Sequence, residues 1–234
     1  MKLDLSAYRP QLRGLLSAGW VDAVGNGQIG VGHDVATTAG DESNPSALTV
    51  TEKVGREFTQ RLCLRWKDAS YKRRLALIEL VIDDLRAADR RPRCLAVDAT
   101  SEKSFAGMLR DQLAGRCAVE FFVASKNYEH GRQQMLGKTL MGDLYCQAFE
   151  DGVMRLPPGD WIYADHTLVK RLKGSYVYEE DSAGNHADAF VSGGLSLWSL
   201  MSKSSRAEIM AAGPSCGPPD PAIAMIPKLP QLPF

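Results

Sequence analysis

Asp34, Asp98 and Asp188 are the residues whose type and placement best suit chemistry. Asp34 closes the strand-like run Gln28-Ile29-Gly30-Val31-Gly32-His33-Asp34, and Asp98 closes Cys94-Leu95-Ala96-Val97-Asp98. Asp188 opens a helix-like run within Asn185-His186-Ala187-Asp188-Ala189-Phe190. Carboxylates at the ends of neighbouring strands and at the start of a facing helix can converge on one point. Convergent carboxylates suit hard cations such as Mg²⁺ or Mn²⁺, which prefer oxygen ligands. A pair of such ions is a common device for hydrolysing phosphodiester bonds. The expectation is a metal-dependent nuclease with Asp34, Asp98 and Asp188 as its catalytic, metal-binding acids and two Mg²⁺ or Mn²⁺ ions as its cofactors.

The elements that must position these acids follow from periodicity. Ile29, Val31 and Val35 alternate with Gly30, Gly32 and Asp34, a strand with small residues on the Asp34 face. Ala47–Thr51 and Phe58–Trp66 read as two more strands, with Phe58, Leu62, Leu64 and Trp66 on one face and Gly55 in the turn between. Tyr71 to Asp89 reads as a helix with a Tyr71, Leu75, Ile78, Ile82, Leu85 stripe and Arg and Asp on its other side. After the Asp98 strand come a short helix carrying Phe105, Met108, Leu109 and Leu113, and a strand over Val119–Val123. A helix over roughly Gln133–Glu150 leads to a short strand at Val153–Pro158. Asp160–Lys173 reads as helical, Ser175–Glu180 as half of a hairpin turning near Gly184-Asn185, and Asp188 to about Met201 as a last helix. This order predicts an α/β domain: an antiparallel meander, then parallel strands joined by crossover helices. In such a sheet the first and fourth strands are neighbours, which sets Asp34 beside Asp98. Residues 1–24 are expected to be a linker or extension, 25–202 the domain, and 203–234 a Pro-rich tail.

Composition narrows the function classes. The hydrophobic share of 44% and charged share of 24% are those of a folded globular chain. Twenty-eight basic and 28 acidic residues cancel, so the basic excess usual in a nucleic-acid binder is missing. DNA contact is then expected to use local patches and metal ions, or another domain or subunit. The five cysteines stand singly, which excludes a zinc knuckle and fits free thiols in a reducing cytosol. With no apolar leader at Met1-Lys2-Leu3-Asp4 and no apolar run of membrane-spanning length, a soluble, intracellular protein is expected.

The order strand-Asp, hairpin, helix, strand-Asp and His-x-Asp helix resembles the nuclease domain of the large terminase subunit of tailed phages, Mu-like phages among them. The segments that carry the likeness are Gly32-His33-Asp34-Val35-Ala36 followed by Asn44-Pro45-Ser46-Ala47-Leu48, then Ala96-Val97-Asp98-Ala99-Thr100, His186-Ala187-Asp188-Ala189-Phe190, and Gly152-Val153-Met154-Arg155-Leu156-Pro157. The likeness spans about residues 28–201. It implies a ribonuclease H-like mixed β-sheet flanked by α-helices, and cutting of phage DNA during genome packaging. It also implies double-stranded DNA, a packaging ATPase domain or subunit, the portal and the small terminase subunit as partners, in the host cell cytoplasm and with no membrane. Large terminases carry a P-loop ATPase domain ahead of the nuclease, and none fits in the first 24 residues. The nearest string, Gly131 to Thr139, has five residues between its glycines where a P-loop has four, and is rejected. An excised domain or a separately encoded nuclease subunit is expected. Two rivals stand beside this reading: another ribonuclease H-like nuclease (a resolvase or transposase core), or a non-catalytic DNA-gripping or docking module of a packaging assembly.

Lesser candidates are weighed residue by residue. His186 is read as supporting the metal site, contacting phosphate, or capping the helix. Lys170 and Arg171 are read as DNA contacts or a solvated face, and Lys72–Arg74 and Arg90–Arg93 as solvated helix ends or phosphate contacts. Asp165-His166 is read as a solvated helix face, His33 as packed or exposed rather than a ligand, and Glu102 as an extra carboxylate or a surface residue. No G-x-S-x-G occurs and no cysteine has an adjacent histidine, so a covalent nucleophile is not expected.

Overall fold

The computed structural model of the chain describes residues 2–35, 45–68, 70–182 and 184–201. The proposed tail at 203–234 and most of the loop before Ser46 lie outside the described residues. A short helix, α1 (Arg9–Arg13), precedes three strands, β1 (Gln28–Asp34), β2 (Ser46–Val54) and β3 (Glu57–Trp66). Then come α2 (Tyr71–Ala87), β4 (Pro92–Asp98), α3 (Lys103–Leu113), β5 (Val119–Phe122), β6 (Asn127–His130), β7 (Gln133–Leu136) and α4 (Gly137–Glu150). The chain continues through β8 (Met154–Arg155), α5 (Asp160–Thr167), β9 (Val169–Leu172), β10 (Ser175–Tyr178) and α6 (Asp188–Met201). Six strands form one mixed sheet in the order β5-β4-β1-β2-β3-β8. The meander β1-β2-β3 is antiparallel, while β4 runs parallel to β1 and β5 parallel to β4, as expected. Among the described residues no helix is long and apolar enough to cross a membrane.

Side chains alternate across a strand, so Gly30, Gly32 and Asp34 share one face of β1, and Cys94, Ala96 and Asp98 share that face of β4. Helix α6 lies directly on it. A Cβ on Gly30 would stand 2.3 Å from the Ser196 carbonyl oxygen, and one on Gly32 2.1 Å from that of Ser192. Only glycine permits this approach. Two strand residues advance roughly 6.6 Å and four helix residues about 6 Å. Gly30 therefore meets the Ser196 turn and Gly32 the Ser192 turn, and the next step along both elements sets Asp34 toward Asp188. Thr49 and Thr51 on β2 bond Ser192 and Ser196 through their hydroxyls at 2.8 and 2.5 Å, fixing the helix in register.

The other face is covered by α2 and α3 with Leu75, Leu77, Ile78, Val81, Ile82, Phe105 and Leu109 buried against Val31, Leu48, Val50, Leu95 and Val97. Ser70 caps α2 by accepting the Arg73 amide. Tyr71, expected to start the apolar stripe, is exposed, whereas Arg74, expected at a solvated helix end or on phosphate, is buried, as is Glu79. The first 24 residues, expected as a linker or extension, bury Leu5, Leu12, Leu16, Trp20 and Val24 in this core. Arg9 pairs with Asp83 and Glu79, Arg13 with Asp84, and the Trp20 indole donates to Asp84 at 3.2 Å.

Three local expectations are corrected. Phe58 does not share a face with Leu62, Leu64 and Trp66. Val50 pairs with Leu62 but Thr51 with Gln60, so Arg61 is bulged out and Phe58 turns to the α6 side. Gln133–Leu136 is a strand, not the first turn of a helix, because Gly131 (φ 62°) turns it back on Asn127–His130. The helix predicted through Lys173 stops at Thr167, and Lys173 (φ 49°) with Gly174 (φ 77°) forms a left-handed two-residue turn pairing β9 with β10. That hairpin turns before Ser175 and not near Gly184.

Candidate active site

A pocket of about 290 Å³ opens where β1 and β4 end, and Asp34, Asp98 and Asp188 all line it. His186 and Glu102, both weighed from the sequence, line it too, as do Lys138, Tyr178 and Thr100. A larger, open cleft of about 480 Å³ at the other end of β1 is lined by Asn26, Gly27, Ile29, Asp89, Arg90 and Arg91. It holds a single acid, Asp89, beside two arginines, and the Arg90 guanidinium is bonded to the Val24 and Ala88 carbonyls. Of these two, the acids converge only in the pocket of Asp34, Asp98 and Asp188.

The three acids are held differently. Asp98 is fixed by Thr100, whose amide and hydroxyl donate to Oδ1 at 2.8 and 2.5 Å, while the hydroxyl accepts the Ala124 amide at 2.9 Å. This Asx-type turn ties the end of β4 to the end of β5. Asp188 is 3% exposed, and its Oδ2 has no hydrogen-bond partner. The residue before it, Ala187, is buried with φ 61°, a conformation that costs a non-glycine residue energy and aims the helix start at the pocket.

Burial, reinforced by the Asp98, Asp188 and Asp165 carboxylates, holds the Asp34 carboxyl well above the usual range. Burial raises Asp188 as well, against the pull of Arg65. Tyr178, whose hydroxyl is buried without a partner, is raised by burial and then by the charges of Asp34 and Asp98. Lys138, the one lysine or arginine lining the pocket among the described residues, is lowered by burial, and its ammonium lies 4.0 Å from the centre of the Tyr178 ring. Negative charge is thus concentrated here without matching cations. Among the described residues, no three His, Cys, Asp or Glu side chains already stand as a group able to hold a metal ion. The fit to a hard cation rests on all-oxygen donors, the orphaned Asp188 oxygen and the uncompensated charge.

Other sequence candidates lie elsewhere. Lys170 and Arg171, on β9, do not line the pocket; they pair with Glu179 at 2.6 Å and Asp143 at 3.2 Å. His33 is buried on the opposite face, stacked on Trp66 at 5.6 Å with Nδ1 bonded to the Ala47 carbonyl, and burial lowers it to about 4. His186 stands 3.6 Å from Glu180. Asp165-His166, read as a solvated face, is not one. Asp165 is 2% exposed and bonds the first turn of α6, and His166 is bonded to the Tyr145 hydroxyl and the Ile162 carbonyl. Thr100, Lys138 and Tyr178 were not singled out for this site from the sequence. Only Thr100 left a readable signal, the Asp-x-Thr spacing of a turn.

No protein-family model matches the chain, and no curated protein matches it in sequence. Solved structures do. The large terminase nuclease from thermophilic phage G20c superposes with a TM-score of 0.53 at 14% identity, over 72% of this chain and 80% of that one. The human cytomegalovirus terminase nuclease domain does so with a TM-score of 0.52 at 12% identity, over 88% of this chain and 98% of that one. The chain has the ribonuclease H-like fold of terminase large-subunit nuclease domains.

Proposed function

We propose that this protein is a divalent-metal-dependent endodeoxyribonuclease that cuts double-stranded phage DNA during genome packaging, with two Mg²⁺ or Mn²⁺ ions as cofactors. The observation that carries this reading is the meeting of Asp34, Asp98 and Asp188 in one pocket, on the fold of terminase nucleases. Asp34, Asp98 and Asp188 would hold the ions. When bound, such ions supply an activated water and neutralise charge on the scissile phosphate.

The chain's own residues do the rest. Thr100 keeps the Asp98 carboxylate turned to the pocket, and Lys138 offers a cation to a phosphate oxygen. The Tyr178 hydroxyl, whose ionisation is suppressed by burial and by the acids beside it, is a poor nucleophile, so water is the attacking group. His186 is a DNA or metal-shell contact at the rim, whereas Lys170 and Arg171 would meet DNA only outside the pocket. Balanced charge makes the isolated chain a weak DNA binder at physiological salt, because few counterions are released. A packaging ATPase, with the portal and small subunit, would then bring DNA to it.

Supercoiled plasmid incubated with Mn²⁺, Mg²⁺ or EDTA tests the reading. Nicking and linearisation with either metal and none in EDTA are expected. Cleavage unchanged in excess EDTA after metal stripping would sink the metal-dependent mechanism, and DNA binding without cleavage would favour the gripping module.

A further inference from the structure

Helix α6 begins without a cap of its own. The residue ahead of Asp188 is Ala187, whose side chain has no acceptor, yet α6 must carry an acid to the pocket at its first position. The missing acceptor comes from another helix. Asp165, on α5, accepts the Ala189 amide at 2.9 Å and the Phe190 amide at 3.1 Å, both through Oδ1. These are the two peptide N–H groups that follow Asp188. Capping of this kind is ordinarily local in sequence; here it bridges 24 residues. Arg65 lies 3.7 Å from the second Asp165 oxygen and is stacked over Trp161 at 4.6 Å, so it faces Asp165 as a partial counter-charge.

We infer that Asp165 is a positioning residue for the pocket: by holding the Ala189 and Phe190 amides it fixes where Asp188 stands relative to Asp34 and Asp98. The inference rests on the nuclease reading. The Asp188 Oδ2 has no hydrogen-bond partner, and the amides that bond the carboxylate, those of His186 and Asp188, belong to the same turn. The backbone anchor fixes that turn, as Thr100 fixes Asp98 through its side chain. Loss of the anchor lets the first turn of α6 fray, and Asp188 then loses its fixed place while the rest of α6 stays pinned on Gly30 and Gly32.

Asp165→Ala and Asp165→Asn in the full chain test this. Asparagine retains an oxygen for both amides, removes the charge, and sets an NH2 group toward Arg65 in place of the second oxygen. Hydrogen exchange at Ala189 and Phe190 in the metal-free protein, Mn²⁺ binding by calorimetry, and the Mn²⁺ concentration giving half-maximal plasmid cleavage are measured together. Asp165→Ala is expected to speed exchange at both amides, and to raise the Mn²⁺ midpoint and the Mn²⁺ dissociation constant about 10- to 100-fold, the range seen when residues that orient metal ligands are removed. Cleavage at saturating Mn²⁺ should largely recover. Asp165→Asn should stay within about threefold of wild type in every readout, well below that range. Faster exchange with an unchanged Mn²⁺ midpoint would show a purely structural cap and overturn the inference. So would an Asn variant whose midpoint rises tenfold or more, a result that decides the matter even where Asp165→Ala fails to fold. A wild-type chain that neither binds Mn²⁺ nor cuts DNA overturns the nuclease reading and the inference with it. A wild-type chain that does both, beside an Ala variant indistinguishable from it, overturns the inference alone.

Discussion

The two faces of the sheet solve the same packing problem in opposite ways. Against α2 the strands present Val31, Leu48, Val50, Leu95 and Val97, large aliphatic side chains that keep helix and sheet apart. Buried charge on that side is compensated. Burial alone would raise the Glu79 carboxyl, but hydrogen bonds from Arg116, Gln112 and Arg9 hold it below the ordinary range. Against α6 the strands present Gly30, Gly32, Thr49 and Thr51, which meet Ser192, Ser196 and Ser199 almost backbone to backbone. Buried charge there is left raised and only partly matched. One face is built for stability; the other gives up bulk and charge balance to bring three acids to one pocket.

The sharpest way to break this contrast is to add a methyl group to the close face. In Gly32→Ala the new Cβ would stand 2.1 Å from the Ser192 carbonyl oxygen and 2.2 Å from the Ser196 amide nitrogen, backbone atoms that cannot swing aside. A loss of about 4 kcal/mol or more is expected, with cleavage lost as α6 lifts from the sheet. Leu77→Ala on the far face should cost about 2–5 kcal/mol through a cavity. Its folded molecules should nonetheless cut DNA at the wild-type rate. Urea melts paired with plasmid cleavage at low temperature check both. Equal loss of cleavage per folded molecule in the two variants would erase the distinction between the faces.

Asp34→Asn, Asp98→Asn and Asp188→Asn should each lower cleavage by at least ~10³, or about 4 kcal/mol of transition-state stabilisation. Melting temperature without metal should hold or rise, because each change removes a like charge from the cluster. Near-wild-type cleavage in any two of them would remove the assignment.

What was legible in the sequence follows the same division. The strand-terminal acids, the meander, the β1–β4 neighbours and the α6 start could be read because alternation and helical periodicity are local patterns. The small residues on the Asp34 face were visible too, but their partner was not, since Gly32 and Ser192 meet only after the sheet is assembled. Asp165 was misread for the same reason: its ligands are backbone amides 24 and 25 residues away. One strand of each small hairpin, β7 of β6–β7 and β9 of β9–β10, reads as helix in the sequence because four-residue strands carry too little periodicity to outvote their neighbours. Once those hairpins form, Lys138 and Tyr178 reach the pocket, which no spacing in the sequence announces.

The pH dependence of the metal-free protein sharpens the comparison further. Burial, with the Asp188 carboxylate, pushes the Asp165 carboxyl from 3.8 up to about 6. A carboxyl raised on folding binds more protons in the native state, so stability is greatest below the unfolded pKa and falls as pH climbs through the folded one. The loss from Asp165 should be on the order of 3 kcal/mol between pH 4 and pH 7, and Asp34 adds to it in the same direction. Glu79 runs the other way: its depressed carboxyl gives stability that is present above the ordinary range and lost as pH falls below it. Thermal melts from pH 3 to 8 should therefore show a maximum near the lower end, which Mn²⁺ removes by stabilising the ionised acids at neutral pH. A melting temperature that rises steadily to pH 7 without metal would contradict the uncompensated charge on the α6 face.

Lys138 should give the smallest effect, and it separates electrostatic help from scaffold. The ammonium sits over the Tyr178 ring at the pocket wall, and burial lowers its pKa. Such a group is free to turn toward a phosphate oxygen when DNA enters. Lys138→Met keeps the length and the apolar contact with Tyr178 and removes the charge. About a tenfold loss of cleavage is expected, or roughly 1.4 kcal/mol, with little change in melting temperature and a shallower salt dependence of DNA binding. Lys138→Arg should recover part of it. The measurement is a salt series of cleavage rates and anisotropy titrations on all three proteins. If Lys138→Met cuts as wild type does and only the melting temperature moves, the lysine is packing for the Tyr178 ring, and the pocket works by its acids alone.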